Sequence, residues 1–350
     1  MSERRPRVLL FGSGAIGTIY VYILQQAGCD VSAVCRSNYE AAKANGFTIN
    51  SAIYGQNIHI QPPVYRTIED ACPPGTTYDY IIITTKSFPS PVPLPAPSPS
   101  VAAIAPAITP SHTTIVLIQN GLLIEEEYKA AYPSNPLLSC VVYLPTTQFS
   151  PAVIEMGELE LLEIGTYPSA SPPQNSRAFA STASTSGVER DAAAANAFKD
   201  LIRKGNGTAH VYPDIQAQRW KKLLLNCGWN PVCALSRSRD VGVLGACDEA
   251  EGYVKAVMME VAGVARAVGY EGVDENMVDG VMERAKARMG TKGIEPSMLA
   301  DVRGGRRMEV EAILGGVMRL GKEMGLGVSR LEGLYVLSRA LDQRIGEGLV

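Results

Sequence analysis

The segment that decides the fold lies near the start of the chain and reads Val8-Leu9-Leu10-Phe11-Gly12-Ser13-Gly14-Ala15-Ile16-Gly17. Its first four residues are all apolar, which is typical of a parallel strand buried on both faces. Glycines then follow in the G-x-G-x-x-G spacing, and a helical pattern continues to residue 26. In this context the segment predicts a loop that holds a dinucleotide pyrophosphate at a helix N-terminus. The candidate cofactor-binding residues are Gly12, Ser13, Gly14, Ala15, Ile16 and Gly17. A glycine-rich turn without a ligand is the alternative.

The second predicted strand, residues 30–35, ends at Arg36. An NAD site usually carries Asp or Glu at this point, where it binds the ribose 2′-hydroxyl. A guanidinium suits the 2′-phosphate of NADP(H) instead, because its fork makes charge-assisted hydrogen bonds to phosphate. Ser37 and Asn38 are candidate neutral donors. The sequence therefore favours NADP(H), with an ordinary surface charge as the alternative for Arg36.

The pattern along the chain changes near residue 210. Before it, strands and helices alternate; after it, helical periodicity predominates, in segments predicted at 214–235, 248–268, 274–289, 298–324 and 328–346. The 350 residues are long enough for two domains. We expect an α/β Rossmann-type domain with a parallel sheet over 1–210 and an all-α domain over 211–350.

Two segments interrupt the α/β pattern. Alternating prolines at 89–99 favour extended backbone and predict an irregular surface loop, with a polyproline II segment for a partner as the alternative. The Ser- and Ala-rich stretch at 168–190 predicts a mobile loop.

Composition excludes several classes of protein. The chain has 32 Lys and Arg against 35 Asp and Glu, a net charge of −3, which argues against a nucleic-acid partner. Hydrophobic residues make up 46%, enough for a sizeable core. The 7 cysteines include no C-x-x-C pair and the 3 histidines are scattered, so we expect neither a metal site nor a disulfide framework. Reduced thiols suit the cytoplasm, and no apolar run approaches membrane-spanning length.

A polar stripe crosses the first predicted helix of the second domain. Lys222, Asn226 and Asn230 are spaced i, i+4, i+8, which places them on one helix face among leucines. If the asparagines are buried they need partners, and a ligand with a carboxylate and a carbonyl would supply them. A surface stripe is the alternative. Further on, Ser297 suits a helix N-cap and Glu309 would ordinarily be a solvated helix charge.

Several motifs now stand in one order: Gly12-x-Gly14-x-x-Gly17, Arg36, Thr84-Thr85-Lys86, Gln119-Asn120-Gly121, Lys222-x-x-x-Asn226-x-x-x-Asn230-Pro231, and Ser297 followed by Glu309. Across most of the chain they resemble the ketopantoate reductase (2-dehydropantoate 2-reductase) family. The resemblance implies a cleft between a Rossmann-type and a helical domain, where NADPH delivers a hydride to the keto carbon of a 2-oxo acid. It points first to 2-dehydropantoate, reduced to (R)-pantoate in pantothenate biosynthesis. It also implies a monomer or a homodimer.

The resemblance assigns roles to individual residues. Lys222 corresponds to the proton donor to the carbonyl oxygen, and Glu309 to the acid that pairs with this lysine and contacts substrate. The substrate-binding groups are Asn120, Asn226, Asn230 and Ser297; Lys86 and Asn120 lie on the cofactor side. Because the segments at 89–99 and 168–190 depart from the family pattern, a reductase of a different 2-oxo acid or ketone stays open. An alternative of another class is a non-catalytic NADP(H)-sensing or scaffold protein.

Overall fold

A computed structural model describes residues 4–90, 97–169, 171–173 and 185–349. The first half of the chain alternates strands with helices, as predicted. Its elements are β1 (Arg7–Phe11), α1 (Ala15–Gln26), β2 (Asp30–Val34), α2 (Tyr39–Asn45), β3 (Phe47–Ser51), β4 (Gly55–Ile60), β5 (Val64–Tyr65), α3 (Ile68–Ala71), β6 (Tyr80–Ile83), α4 (Pro99–Ala103), β7 (Thr114–Ile118), α5 (Glu126–Ala131), β8 (Leu137–Tyr143), β9 (Thr146–Ser150), β10 (Val153–Met156), β11 (Leu161–Thr166), α6 (Thr185–Lys204) and β12 (Ala209–Val211).

The larger sheet has the order β12-β11-β8-β7-β6-β1-β2-β5. Its central strands are continuous apolar runs with both faces covered, and Val8, Leu9 and Leu10 of β1 have no exposed surface. The strand order reverses at β1, which pairs with both β2 and β6. In such sheets, ligands bind outside the carboxyl ends of the strands at this switch point.

The sheet departs from a purely parallel one at a single described junction. β11 runs antiparallel to β8, while the other paired strands of this sheet are parallel. A smaller sheet, β4-β3-β10-β9, packs beside α1. It contains both strands of the segment that follows α2.

The second half of the chain is helical. Its elements are α7 (Ile215–Ser236), α8 (Asp240–Leu244), α9 (Ala250–Ala267), α10 (Glu275–Lys286), α11 (Ser297–Arg303), a π-helix (Glu311–Gly315), α12 (Gly316–Glu323) and α13 (Ser329–Gly346). The predicted fold class, a Rossmann-type α/β part followed by an all-α part, is therefore confirmed. The division at residues 210 and 211 stays a prediction. Within the described residues, no helix is both long and apolar enough to cross a membrane.

The single helix expected over 298–324 is wrong, because α11 ends at Arg303 and regular helix resumes only with the π-helix and α12. Gly304 and Gly305 follow α11, and Gly305 has a φ of +59°, a left-handed conformation that ends the helix. The chain then passes through Arg306–Val310 before the π-helix begins. This break brings Glu309 to the boundary with the α/β half.

The two low-complexity segments lie partly outside the described residues. Of the proline tract at 89–99, residues 91–96 are outside, and Pro99 begins α4. Of the stretch at 168–190, residues 170 and 174–184 are outside. The expectation of a loop up to residue 190 is wrong, because α6 already begins at Thr185.

Candidate active site

Two glycines of the glycine loop are required by the protein's own packing. Gly12 has a φ of +108°, and a Cβ on it would lie 2.6 Å from the backbone nitrogen of Thr85. A Cβ on Gly17 would lie 2.6 Å from the Gly12 carbonyl oxygen and 2.7 Å from Thr84 Oγ1. These contacts pack α1 tightly against the ends of β1 and β6.

The middle glycine of the loop has a different explanation. A Cβ on Gly14 would meet nothing within 4 Å, so packing within the protein does not require a glycine there. The neighbouring Ser13 Oγ is buried without a hydrogen-bond partner among the described residues. Gly14 is also the N-cap of α1 and provides no side-chain cap. An open space beside an uncapped helix N-terminus and an unpartnered hydroxyl fits a dinucleotide pyrophosphate.

Arg36 and Asn38 follow β2 beside this loop, in contrasting situations. Arg36 is exposed, and its side chain makes no hydrogen bond or ion pair with the described residues. Asn38 is buried, and its Nδ2 donates to the Ser13 carbonyl oxygen at 2.9 Å and to Gln148 Oε1 at 2.8 Å. The expectation of Asn38 as a phosphate donor is wrong, because both of its N–H groups are already used.

The remaining family motifs meet at the same edge of the sheet. Thr84-Thr85-Lys86 follows β6, and Gln119-Asn120-Gly121 follows β7. Opposite them lies α7, which carries Lys222 and Asn226. Between these elements is a cavity of about 10 Å³, room for roughly one water molecule. It is lined by Gln119, Asn120, Gly121, Val141, Arg219, Lys222, Leu223 and Asn226.

Two cationic side chains line this cavity, Arg219 and Lys222, and the surroundings of Lys222 shift its pKa. Its Nζ donates to the Val142 carbonyl oxygen at 2.5 Å and lies 5.4 Å from the centre of the Tyr143 ring. Burial and the nearby Arg219 guanidinium lower the pKa of Lys222 to about 8, against the opposing effects of Glu309 and Glu163. Such an ammonium gives up its proton near neutral pH far more readily than an exposed lysine.

Glu309 lies next to the cavity, in contact with the lining residue Asn120. It is 7% exposed, so the reading as a solvated charge is wrong. Its Oε1 accepts from the Ser87 backbone N–H at 2.8 Å, and its Oε2 accepts from Asn120 Nδ2 at 3.3 Å. Burial raises the pKa of Glu309, and these donors together with Lys86 oppose the rise.

The direct pairing of Glu309 with Lys222, implied by the resemblance, is not formed in this structure, and it stays a prediction. No ion pair joins them among the described residues, and the Glu309 carboxylate is turned toward Ser87 and Asn120 instead. Asn120 therefore lies between the acid and the cavity that Lys222 lines. Glu309 acts on Lys222 through charge at a distance.

The asparagines of the polar stripe are buried, so the surface-stripe reading is wrong. Asn226 is 8% exposed and lines the cavity, whereas Asn230 is 4% exposed and lies outside its lining. Asn230 Oδ1 accepts from Ser297 Oγ at 3.1 Å and from the Met298 backbone N–H at 2.9 Å. Asn230 thus caps the start of α11, whose N-cap position is occupied by Pro296 rather than Ser297.

Lys86, the expected cofactor-side lysine, reaches across the cleft. Its Nζ donates to the Arg307 carbonyl oxygen at 2.9 Å and forms an ion pair with Asp301. Both partners belong to the helical half. In this arrangement Lys86 and the Ser87 N–H hold the two halves together beside Glu309.

Sequence reasoning missed Arg219 as a site residue. It lies one helical turn before Lys222 and is 3% exposed, which is exceptional for an arginine. The i, i+3 spacing from Lys222 was a signal in the sequence, but only the structure supplies its partners.

A Rossmann-type sheet with an open glycine loop, facing a helical half that supplies a lysine of lowered pKa, defines a two-domain oxidoreductase that uses a nicotinamide cofactor. Comparison with known proteins makes the class specific. Residues 8–169 match the family described as ketopantoate reductase PanE/ApbA, and residues 214–342 match its C-terminal domain. The chain belongs to the ketopantoate reductase family.

Individual relatives cover nearly the whole chain. An uncharacterized protein of Saccharomyces cerevisiae is 29% identical over 363 residues, covering 97% of this chain and 95% of the relative. The crystal structure of 2-dehydropantoate 2-reductase from Methylococcus capsulatus is 28% identical, with a TM-score of 0.75 and 97% coverage of both chains. D-mandelate dehydrogenase, solved with NADH and anilino(oxo)acetate, has a TM-score of 0.77 at 19% identity, covering 97% of this chain and 99% of that one. The last comparison is a similarity of fold alone.

Proposed function

We propose that this protein reduces 2-dehydropantoate to (R)-pantoate with NADPH. The observation that carries the proposal is the lysine of lowered pKa, Lys222, in a cavity shared with Asn120 and Asn226 at the carboxyl ends of the sheet strands. The family relationship supports 2-oxo acid reduction as the reaction class. NADPH and 2-dehydropantoate are the particular cofactor and substrate that we infer.

The residues present fit the cofactor. The N-terminus of α1, with the space beside Gly14 and the Ser13 hydroxyl, would hold the pyrophosphate, and Arg36 would bind the 2′-phosphate. When bound, the reduced nicotinamide supplies a hydride. The Arg36 side chain, which has no partner among the described residues, supports NADP(H) over NAD(H).

The residues of the cavity would complete the reaction. As the keto carbon gains its hydride, charge develops on the carbonyl oxygen, and the Lys222 ammonium would stabilise that charge and donate a proton to it. Asn120 and Asn226 would hydrogen-bond the substrate's polar groups. Glu309 would orient Asn120 and favour the protonated state of Lys222.

Substitution of Lys222 tests the assigned chemistry. Lys222→Ala is expected to lower kcat by roughly a hundredfold or more, because the proton donor is lost, while NADPH binding is retained. The measurement is nicotinamide absorbance with 2-dehydropantoate, together with a cofactor titration. Unchanged turnover would remove Lys222 from the mechanism. A wild-type protein that binds NADPH but reduces no 2-oxo acid would favour the sensing or scaffold alternative.

A second substrate is favoured by one comparison. D-mandelate dehydrogenase, a protein of similar fold, was solved with NADH and anilino(oxo)acetate, so this fold accommodates a carboxylate with an aromatic ring. A panel of 2-oxo acids, each tried with NADPH and NADH, distinguishes the two possibilities. Faster turnover with another 2-oxo acid than with 2-dehydropantoate would replace the proposed substrate and keep the reaction.

Several expectations about context remain predictions. We expect a protein of the cytoplasm that acts in pantothenate biosynthesis as a monomer or a homodimer, without a nucleic-acid or membrane partner. Light scattering on the purified protein tests the oligomeric state.

A further inference from the structure

A buried ion pair lies directly behind the cavity. Arg219, on α7, is paired with Glu125, which precedes α5, and their Nε and Oε1 atoms are 2.7 Å apart. Their side chains are 2% and 0% exposed. Two charges are removed from water only at considerable cost, so such a pair is retained where additional hydrogen bonds offset the loss.

Two hydrogen bonds of Arg219 converge on one backbone turn. Its Nη1 donates to the carbonyl oxygens of Gln119 at 3.0 Å and Gly121 at 2.9 Å. These two residues flank Asn120, so a single guanidinium nitrogen fixes the backbone on both sides of it. The Nε also donates to Ser139 Oγ at 2.6 Å, which holds the guanidinium plane in one orientation.

The turn is fixed from its other side as well. Gly121 has a φ of +109°, and a Cβ on it would lie 2.6 Å from the Ala312 carbonyl oxygen. The Leu122 backbone N–H donates to that same carbonyl at 3.0 Å. The turn is therefore held between the π-helix and the guanidinium, which leaves the Asn120 side chain directed at Glu309.

We propose that Arg219 is a positioning residue for 2-oxo acid reduction, holding the turn that presents Asn120 opposite Lys222; this inference rests on the proposed function. The guanidinium uses Nη1 for the two carbonyls and Nε for the Glu125 carboxylate, and the single nitrogen of a lysine cannot occupy both positions. Glu125 positions the guanidinium in turn and balances its charge.

Arg219 also influences Lys222 through its charge, and this second effect is separable from the first. The groups that face Lys222 are Arg219 from its own helix, Glu309 from across the cleft, Glu163 from β11 and the Tyr143 ring from β8. Arg219 is the positive group among them and opposes protonation of Lys222. A substitution that keeps the positive charge but removes the guanidinium should change the position of the turn while leaving the charge effect on the pKa of Lys222 in place.

Two variants separate geometry from charge. Arg219→Lys keeps a cation, but its single nitrogen cannot replace both Nη1 at the two carbonyls and Nε at Glu125. We therefore expect kcat to fall by roughly tenfold to a hundredfold, with NADPH affinity and the alkaline limb of the pH profile nearly unchanged. The double variant Arg219→Gln/Glu125→Gln neutralises both partners. Its kcat should fall similarly, and its alkaline limb should move to higher pH because the cation beside Lys222 is gone.

A matched control makes the same exchange elsewhere. Arg288 is paired with buried Asp240 in the helical half, with Nη2 and Oδ2 2.6 Å apart, away from the cavity. Arg288→Lys should leave kcat within about twofold of the wild type. Equal losses of kcat in the two lysine variants would reduce Arg219 to a structural role and overturn the proposal.

Amide hydrogen exchange tests the turn independently of activity. Amide exchange over residues 119–123 should be faster in Arg219→Lys than in the wild type or in Arg288→Lys, because the guanidinium no longer holds the turn through its hydrogen bonds. If the wild type reduces no 2-oxo acid and this difference appears, the proposed function fails while the fixing of the turn stands. If kcat and the exchange rate of Arg219→Lys both equal those of the wild type, the positioning role is overturned.

If Arg219→Lys does not fold, the charge-balanced double variant is tested in its place. Unchanged kcat in the double variant overturns the proposal.

Discussion

Lys222 gives the activity a predictable dependence on pH. Its pKa is lowered to about 8, and only the protonated form can donate to the carbonyl oxygen. We therefore expect kcat/KM for the 2-oxo acid to be steady near neutrality and to fall tenfold per pH unit above an apparent pKa of about 8. Initial rates at saturating NADPH across the alkaline range test this. A rate that stays constant well above that pH would contradict it.

Glu163 should influence the pH at which the activity begins to decrease on the alkaline side of the pH profile. It is 6% exposed on β11, and its charge favours the protonated form of Lys222. Glu163→Gln removes that charge, so the pKa of Lys222 decreases and the alkaline limb moves to lower pH. The exposed Glu158→Gln is the control and should leave the limb in place. Movement of the Glu163→Gln limb to higher pH would disprove the assignment.

Arg36 should decide between the two nicotinamide cofactors. A hydrogen bond between charged groups contributes about 1.5–3 kcal/mol. Arg36→Ala is therefore expected to weaken NADPH binding by roughly tenfold to a hundredfold while leaving NADH binding nearly unchanged. Fluorescence titration with both cofactors gives the comparison, with NADH as the internal control. Equal weakening of both would mean that Arg36 does not contact the 2′-phosphate.

The glycine loop contains two glycines that should respond oppositely to the same substitution. Gly17→Ala places a Cβ 2.6 Å from the Gly12 carbonyl oxygen and should cost about 1–3 kcal/mol of the free energy of unfolding. Gly14→Ala meets no atom within 4 Å, so stability should change by less than about 0.5 kcal/mol. Its methyl group would enter the space assigned to the pyrophosphate and weaken cofactor binding. Thermal unfolding and cofactor titration of both variants test the contrast, which fails if Gly14→Ala binds NADPH normally.

The sequence predicted the elements whose burial is uniform or periodic. β1 is an apolar run that the sheet covers on both faces, α1 ends at the predicted residue 26, and β2 begins at the predicted residue 30. β8 and its antiparallel pairing with β11 were missed, because strand direction depends on contacts between residues distant in sequence. The break between α11 and the π-helix was missed because tertiary contacts at Glu309 and Ala312 compensate for the interrupted helix.

The site was predictable where it follows a motif and unpredictable where it depends on a neighbour in space. The spacing of Lys222 and Asn226 indicated a shared face, and both line the cavity. Asn230 shares this spacing, but in the structure its Oδ1 caps α11, and its substrate-binding role stays a prediction. No pattern in the sequence indicates that Arg219 reaches Gln119 and Gly121, because those residues are brought together by the packing of α7 on the sheet.

The arrangement of the two halves implies that the cleft must open. The cavity beside Lys222 holds about 10 Å³, room for roughly one water molecule, whereas a 2-oxo acid is several times larger. Contacts across the cleft close it: Lys86 with Asp301 and the Arg307 carbonyl oxygen, and the Ser87 N–H with Glu309. We therefore expect that some of these contacts separate when substrate binds beside Lys222, and that their strength influences ligand entry.

Asp301→Asn should speed that entry. The substitution removes the charge that attracts Lys86 but keeps an oxygen for Arg306, whose Nε lies 3.2 Å from Asp301 Oδ1. The Lys86 side chain is 34% exposed, so the pair contributes about 1 kcal/mol at most, equivalent to roughly fivefold. We expect NADPH to associate up to about fivefold faster in stopped-flow fluorescence, with little change in thermal stability. The exposed Asp248→Asn serves as the control for charge alone. If both variants associate at the wild-type rate, the Lys86–Asp301 contact does not limit opening, and Glu309 with Ser87 would be the contact that does.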